Sequence, residues 1–112
     1  MNSPWGYVQH STPISEGVQF VSTAGHGGFM LTQSAMKQLH PALKRASVYG
    51  GQYLGYTCFE EDCEAVAVLY ELQEAGIDIN AVGFKPATKE DVKSYLGHGD
   101  TYTPYLKSRG II

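Results

Sequence analysis

Two short apolar runs, Val18-Gln19-Phe20-Val21-Ser22 and Gly28-Phe29-Met30-Leu31, stand close together in the chain with only a glycine-rich link between them. Alternation of apolar and polar residues in the first run is the period of a half-buried strand. The link Ala24-Gly25-His26-Gly27 is short enough to join them as a hairpin. Glycine serves where the backbone needs positive φ or where something approaches it closely. Three glycines around His26 therefore predict a tight, exposed loop that presents an imidazole.

The rest of the chain reads outward from this hairpin. Tyr7-Val8-Gln9-His10 alternates like a strand, and Ser11 to Gly17, with Pro13 and Gly17, reads as a turn or a short edge segment. Thr32 or Ser34 caps a helix whose apolar face is Leu31, Ala35, Met36 and Leu39, and Pro41 ends it or restarts a second turn. Ser47 to Tyr56 has strand composition around Gly50-Gly51. A helix is expected from Glu60 to Ala75, with Glu60-Glu61-Asp62 in its first turn complementing the helix dipole and Gly76 just past its end. Ile77 to Phe84 could make one short strand, and Thr88-Lys89-Glu90-Asp91 resembles a capping box opening a helix through Leu96. The tail after Gly97 is an edge strand or an ordered arm. Strands first and helices later give a single α+β domain over residues 1–112, a small mainly antiparallel sheet with two or three helices packed on it.

Hydrophobic residues at 43% with charged residues at 17% argue against disorder. The net charge of -3 and the lack of a basic run disfavour direct nucleic-acid binding, although an acidic protein can dock on a basic protein partner. Eight tyrosines fit either an interface or half-buried strand positions. Met1-Asn2-Ser3-Pro4 has no features of a secretory signal, and no apolar stretch reaches 18 residues, so no membrane contact and a cytoplasmic location are expected. Cys58 and Cys63 fit no zinc spacing, and reduced thiols are the simpler account. Nothing in the sequence implies a cofactor.

Chemistry-bearing residues are few. His26 could act as a general base, a metal ligand or a recognition group, or be a turn histidine packed back on the sheet. On a helix, Glu60 and Glu64 would share a face while Glu61 and Asp62 point elsewhere. If that helix start meets the His26 loop, one acid could orient the imidazole, or the acids and His26 could hold a divalent ion. Cys63 with His26 is the minimal pair for a thiol nucleophile, but adjacent acids raise a thiol pKa, and a small buried core residue is the better reading of Cys63. His98, flanked by Gly97 and Gly99, is explained by a helix C-terminus, where cations are favoured.

Pro4-Trp5-Gly6, then Glu16 to Leu31, then Phe59-Glu60-Glu61-Asp62-Cys63, together resemble a small domain of unknown function found in phage-, prophage- and plasmid-encoded proteins. That domain shows a Trp-Gly block, a Ser-Thr-x-x-His-Gly-Gly core and a Glu-Glu-Asp block in this order. The resemblance spans about residues 4–70 and implies that His26 sits with Glu61 and Asp62. It implies a mobile-element origin and carries no activity with it. The acidic charge, the tyrosines and the lack of a complete catalytic motif then point to an accessory protein that binds and inhibits a host macromolecule in the host cytoplasm, as an anti-CRISPR does. In that reading the binding residues are His26, Gly27, Gly28, Glu60, Glu61, Tyr53 and Tyr56, with no catalytic residue and no metal. The alternative is a small hydrolase or ligand-binding domain that uses His26 with Glu61 and Asp62, with or without a metal ion.

Overall fold

A computed structural model describes residues 1–112 and shows an α+β domain. The main sheet has five antiparallel strands in the order β3-β4-β5-β7-β6, namely β3 (His10–Ser15), β4 (Val18–Ser22), β5 (Gly27–Leu31), β7 (Tyr56–Glu60) and β6 (Gln52–Tyr53). A separate two-stranded ribbon, β1 (Asn2–Ser3) with β2 (Gly6–Tyr7), precedes it. The hairpin expected around His26 is present: β4 pairs antiparallel with β5, closed by Ser22 opposite Gly27. Pro13 lies in the edge strand β3, where a missing N–H costs no ladder bond on the open side.

Four α-helices and two 3-10 turns follow, more than the two or three helices expected. Helix α1 (Gln33–Gln38) starts at Thr32, whose hydroxyl accepts from the Ala35 N–H. Pro41 restarts the chain as a 3-10 turn, Pro41–Ala46. Helix α2 spans Ala65–Glu74, and Gly76 follows it closely. Helix α3 (Lys89–Leu96) opens on the capping box read in the sequence, with Thr88 and Asp91 bonding reciprocally.

Three local expectations are corrected. Glu60 ends strand β7 instead of opening a helix, because residues 57–60 pair with β5 residues 28–31; the acids 61–64 form turns before α2. Residues Ile79–Val82 form a 3-10 turn, not a strand, because the Asp78 side chain accepts from the Asn80 and Ala81 N–H groups. The tail is neither edge strand nor extended arm but helix α4 (Thr103–Ser108), which buries Tyr105 and Leu106. The hairpin in residues 47–56 turns at Leu54-Gly55, between Tyr53 and Tyr56, and not at Gly50-Gly51.

The two faces of the sheet are unequal. One face carries Val18, Phe29, Leu31 and Phe59 under the helices and forms the main core with Leu43, Val68, Leu72 and Val92. Each such side chain withdrawn from water stabilises the fold by roughly 1.5–3 kcal/mol. The other face holds only Val21, Met30 and Cys58, covered by Trp5, Val8, Tyr53 and Tyr56. No helix is long and apolar enough to cross a membrane.

Candidate functional site

The loop between β4 and β5 is fastened by a single side chain. Thr23 donates its hydroxyl to the His26 carbonyl at 2.7 Å and accepts from the His26 N–H at 3.1 Å, while its own N–H donates to the same carbonyl. The Trp5 carbonyl lies 3.3 Å from the same hydroxyl. The backbone of His26 is therefore held on both sides while its ring remains exposed. A loop pinned in this way positions a side chain better than a mobile one does.

Gly27 and Gly28 are needed for close approach, not for positive φ, since neither adopts it. A Cβ on Gly27 would sit 2.5 Å from the Val21 carbonyl oxygen. One on Gly28 would overlap the Phe59 carbonyl oxygen and stand 2.6 Å from the Trp5 ring. Trp5, Gly28 and Glu60 thus meet at one place, because Glu60 is the cross-strand partner of Gly28. The Glu61 N–H donates to the Gly27 carbonyl at 3.0 Å and ties the acidic segment to the loop. Segments separated by more than fifty residues in sequence converge through sheet pairing.

The acids that reach His26 are Glu60 and Asp62. One donor atom from each of the three side chains lies within 4.8 Å of the other two. None of the three is hydrogen-bonded or ion-paired to another, and the chain's two ion pairs both belong to Arg109. Glu61, expected to join His26, turns to the other side and lines a cavity of about 430 Å³ with Phe20, Phe29, Phe84 and Lys85. Its carboxylate oxygen is 3.4 Å from where a Gly27 Cβ would be, so it borders the loop without joining the cluster. Strand β7 ends at Glu60 and the chain turns over residues 61–64, which brings Glu60 and Asp62, not Glu61, within reach of His26. The helix expected from the sequence would have grouped them differently.

Glu64 and the two cysteines are held inside the fold. Glu64 is fully buried and accepts five hydrogen bonds, from the N–H groups of Val48, Tyr49, Gly50 and Glu60 and from the Tyr102 hydroxyl. Sequence spacing had offered no sign of this role. Cys63 lies 3.0 Å from the Tyr102 hydroxyl, and burial followed by the nearby carboxylates raises its thiol pKa, although the tyrosine contact lowers it. A thiol so placed is a poor nucleophile. Cys58 is buried in β7, its pKa pushed up to about 11 by burial and then by Glu64. Tyr53 and Tyr56 are half-buried against the small face, whereas Leu54 between them is 79% exposed.

A one-histidine, two-carboxylate set suits borderline and hard divalent ions. Donor atoms on one ion stand roughly 3–3.5 Å apart at metal–ligand distances near 2.1 Å, which small rotations of three unbonded side chains can reach. Three protein ligands leave coordination positions free for a further molecule. Burial of Glu60 is partial, and His26 and Asp62 are exposed, so the cluster is open to solvent.

No curated protein and no solved structure matches the chain significantly. The family model described as "Domain of unknown function (DUF7007)" matches residues 1–96, a span that takes in the Trp5, His26 and Glu60–Asp62 segments and runs on through α3. With most of its length inside that match, the chain belongs to the DUF7007 family.

Proposed function

We propose that the protein is a divalent-cation-dependent ligand-binding domain in which His26, Glu60 and Asp62 hold the ion. The observation that carries this reading is the convergence of three otherwise unbonded donor groups, within 4.8 Å, on a loop clamped by Thr23. Two carboxylates placed together repel, and a cation between them removes that repulsion. His26, Glu60 and Asp62 would hold the ion, which would supply Lewis-acid chemistry to a ligand at its open positions.

Calorimetric titration of Mn²⁺ and Zn²⁺ tests this, with the single tryptophan, Trp5, as a fluorescent reporter above Gly28. One ion per chain is expected, with affinity weakened at least about tenfold in His26→Ala and in Glu60→Gln. Equal affinity in wild type and both variants would remove the site.

A second reading is supported by Leu54. It is the one non-glycine residue with positive φ, 49°, and stands exposed at a two-residue hairpin tip. That position ordinarily takes Asn or Gly, so a leucine costs about 1 kcal/mol of strain and exposes apolar surface. In this reading the chain is a phage or plasmid accessory protein that blocks a host defence complex in the cytoplasm, as an anti-CRISPR does. Its acidic surface and the tip from Tyr53 to Tyr56 supply the contact. Phage plaquing on cells with an active CRISPR–Cas system tests it. Restored plaquing that is lost in Leu54→Asn is expected; no restoration in any system would discard the reading.

A further inference from the structure

At the far end of β7 from Glu60, a second cavity of about 360 Å³ opens between α1, the 41–46 turn and the β6–β7 hairpin. Its charged lining is cationic throughout: Lys37 and Lys44 face it and no carboxylate does, although acids outnumber bases in the chain by 11 to 8. Neither lysine has an ion-pair partner, since both ion pairs of the protein fall on Arg109. His40 also lines the cavity. Its Nδ1 accepts the Ala42 N–H at 3.1 Å, which fixes the proton on Nε2 and makes that nitrogen a donor.

Thr57 supplies a further donor. Its side chain belongs to a residue only 3% exposed, and the hydroxyl accepts from Gln33 Nε2 at 3.3 Å. A hydroxyl that accepts keeps one proton to donate, and Thr57 lines the cavity. Helix-end effects account for the sign of Lys37 and Lys44, each in the last turn of its helix, but not for Thr57 or for the exclusion of carboxylates. The lining supplies donors and positive charge at Lys37, His40, Lys44 and Thr57, which is what a multiply charged oxyanion needs.

We propose that this cavity binds the phosphate group of a small phosphate-bearing anion, with Lys37 and Lys44 neutralising the charge and His40 and Thr57 donating to its oxygens. This site does not depend on the cation cluster at His26. The test is an amide-resonance NMR titration of the whole chain with inorganic phosphate and with phenyl phosphate at fixed ionic strength, using chloride as the control anion. Saturable shifts confined to residues around 33–44 and 52–57 are expected for one or both probes. Tighter binding of phenyl phosphate assigns the site to esters; tighter binding of inorganic phosphate assigns it to the free anion. Affinity is expected to fall about tenfold or more in Lys37→Ala and Lys44→Ala, each removing a charged donor, and to hold in Lys107→Ala. Thr57→Val, nearly isosteric, is expected to weaken binding without unfolding the chain. Shifts spread over all lysines, or no saturation by about 10 mM, would overturn the proposal, as would wild-type affinity in both lysine variants.

Discussion

Two groups of carboxylates lie within a dozen residues of one another and live in opposite circumstances. Glu64 and Glu71 are buried and fully engaged: Glu64 accepts five hydrogen bonds, and Glu71 accepts from Tyr105 at 2.7 Å and pairs with Arg109 at 2.8 Å. The Glu60 and Asp62 carboxylates lie beside His26, the first half-buried and the second exposed, and make no hydrogen bond or ion pair within the chain. Burial obliges a charge to find partners within the fold, whereas exposure leaves it free for partners outside. The first pair explains why the fold holds together, and the second is where an external ligand can act.

Substitution can break the contrast at its strongest point. Glu64→Ala leaves four N–H groups and the Tyr102 hydroxyl without their acceptor, so about 5 kcal/mol should be lost in urea unfolding. That is comparable with the whole stability of many domains this size. A loss under about 1 kcal/mol would mean that water replaces the carboxylate. Glu71→Ala is next, with about 3 kcal/mol expected, because Arg109 and the buried Tyr105 hydroxyl lose a shared partner. A double-mutant cycle with Arg109→Ala should give a coupling of about 1–3 kcal/mol.

Alkali sharpens the same contrast. Burial, and then Glu64, pushes the Cys58 thiol up to about 11 from the ordinary 9.0, and burial raises the phenols of Tyr102 and Tyr105 as well. Each group favours its neutral form in the folded state; the Cys58 contribution is complete below pH 9 and lost as pH rises toward 11, and those of the tyrosines are lost only at higher pH, above 10. Thermal melts across that interval should show a falling Tm, on the order of 1–2 kcal/mol from Cys58. Cys58→Ala should flatten part of the slope. The smallest effect belongs to the exposed pair: Glu60→Gln with Asp62→Asn should change stability by no more than about 0.5 kcal/mol while removing cation binding. A large destabilisation there would assign the pair to structure.

Local chemistry was readable in the sequence wherever its cause was local. Thr32 and the Thr88–Asp91 box announce helix starts through their own side chains, and the Val18–Leu31 alternation announces a hairpin. Glu60 to Asp62 misled because three acids before an Ala-Val-rich run resemble a helix start, while the ladder with β5 that makes Glu60 a strand residue is non-local. The resemblance grouped Glu61 and Asp62 with His26, whereas the end of β7 and the turn after it bring Glu60 and Asp62 there. The tail was obscure for the same reason, although Tyr102, Tyr105 and Leu106 do carry helical spacing and Pro104 suits a first turn. Glu64 could not be recognised at all, since its partners come from residues 48–50, 60 and 102.

Helix α4 begins after the family match ends at residue 96, yet both buried carboxylates take partners from beyond that limit: Tyr102 for Glu64, Tyr105 and Arg109 for Glu71. The charge at position 71 therefore depends on a helix that the family match does not reach. Trimming this chain at Leu96 would strand Glu71 in the core, so the smallest stable unit is longer than the span that defines the family.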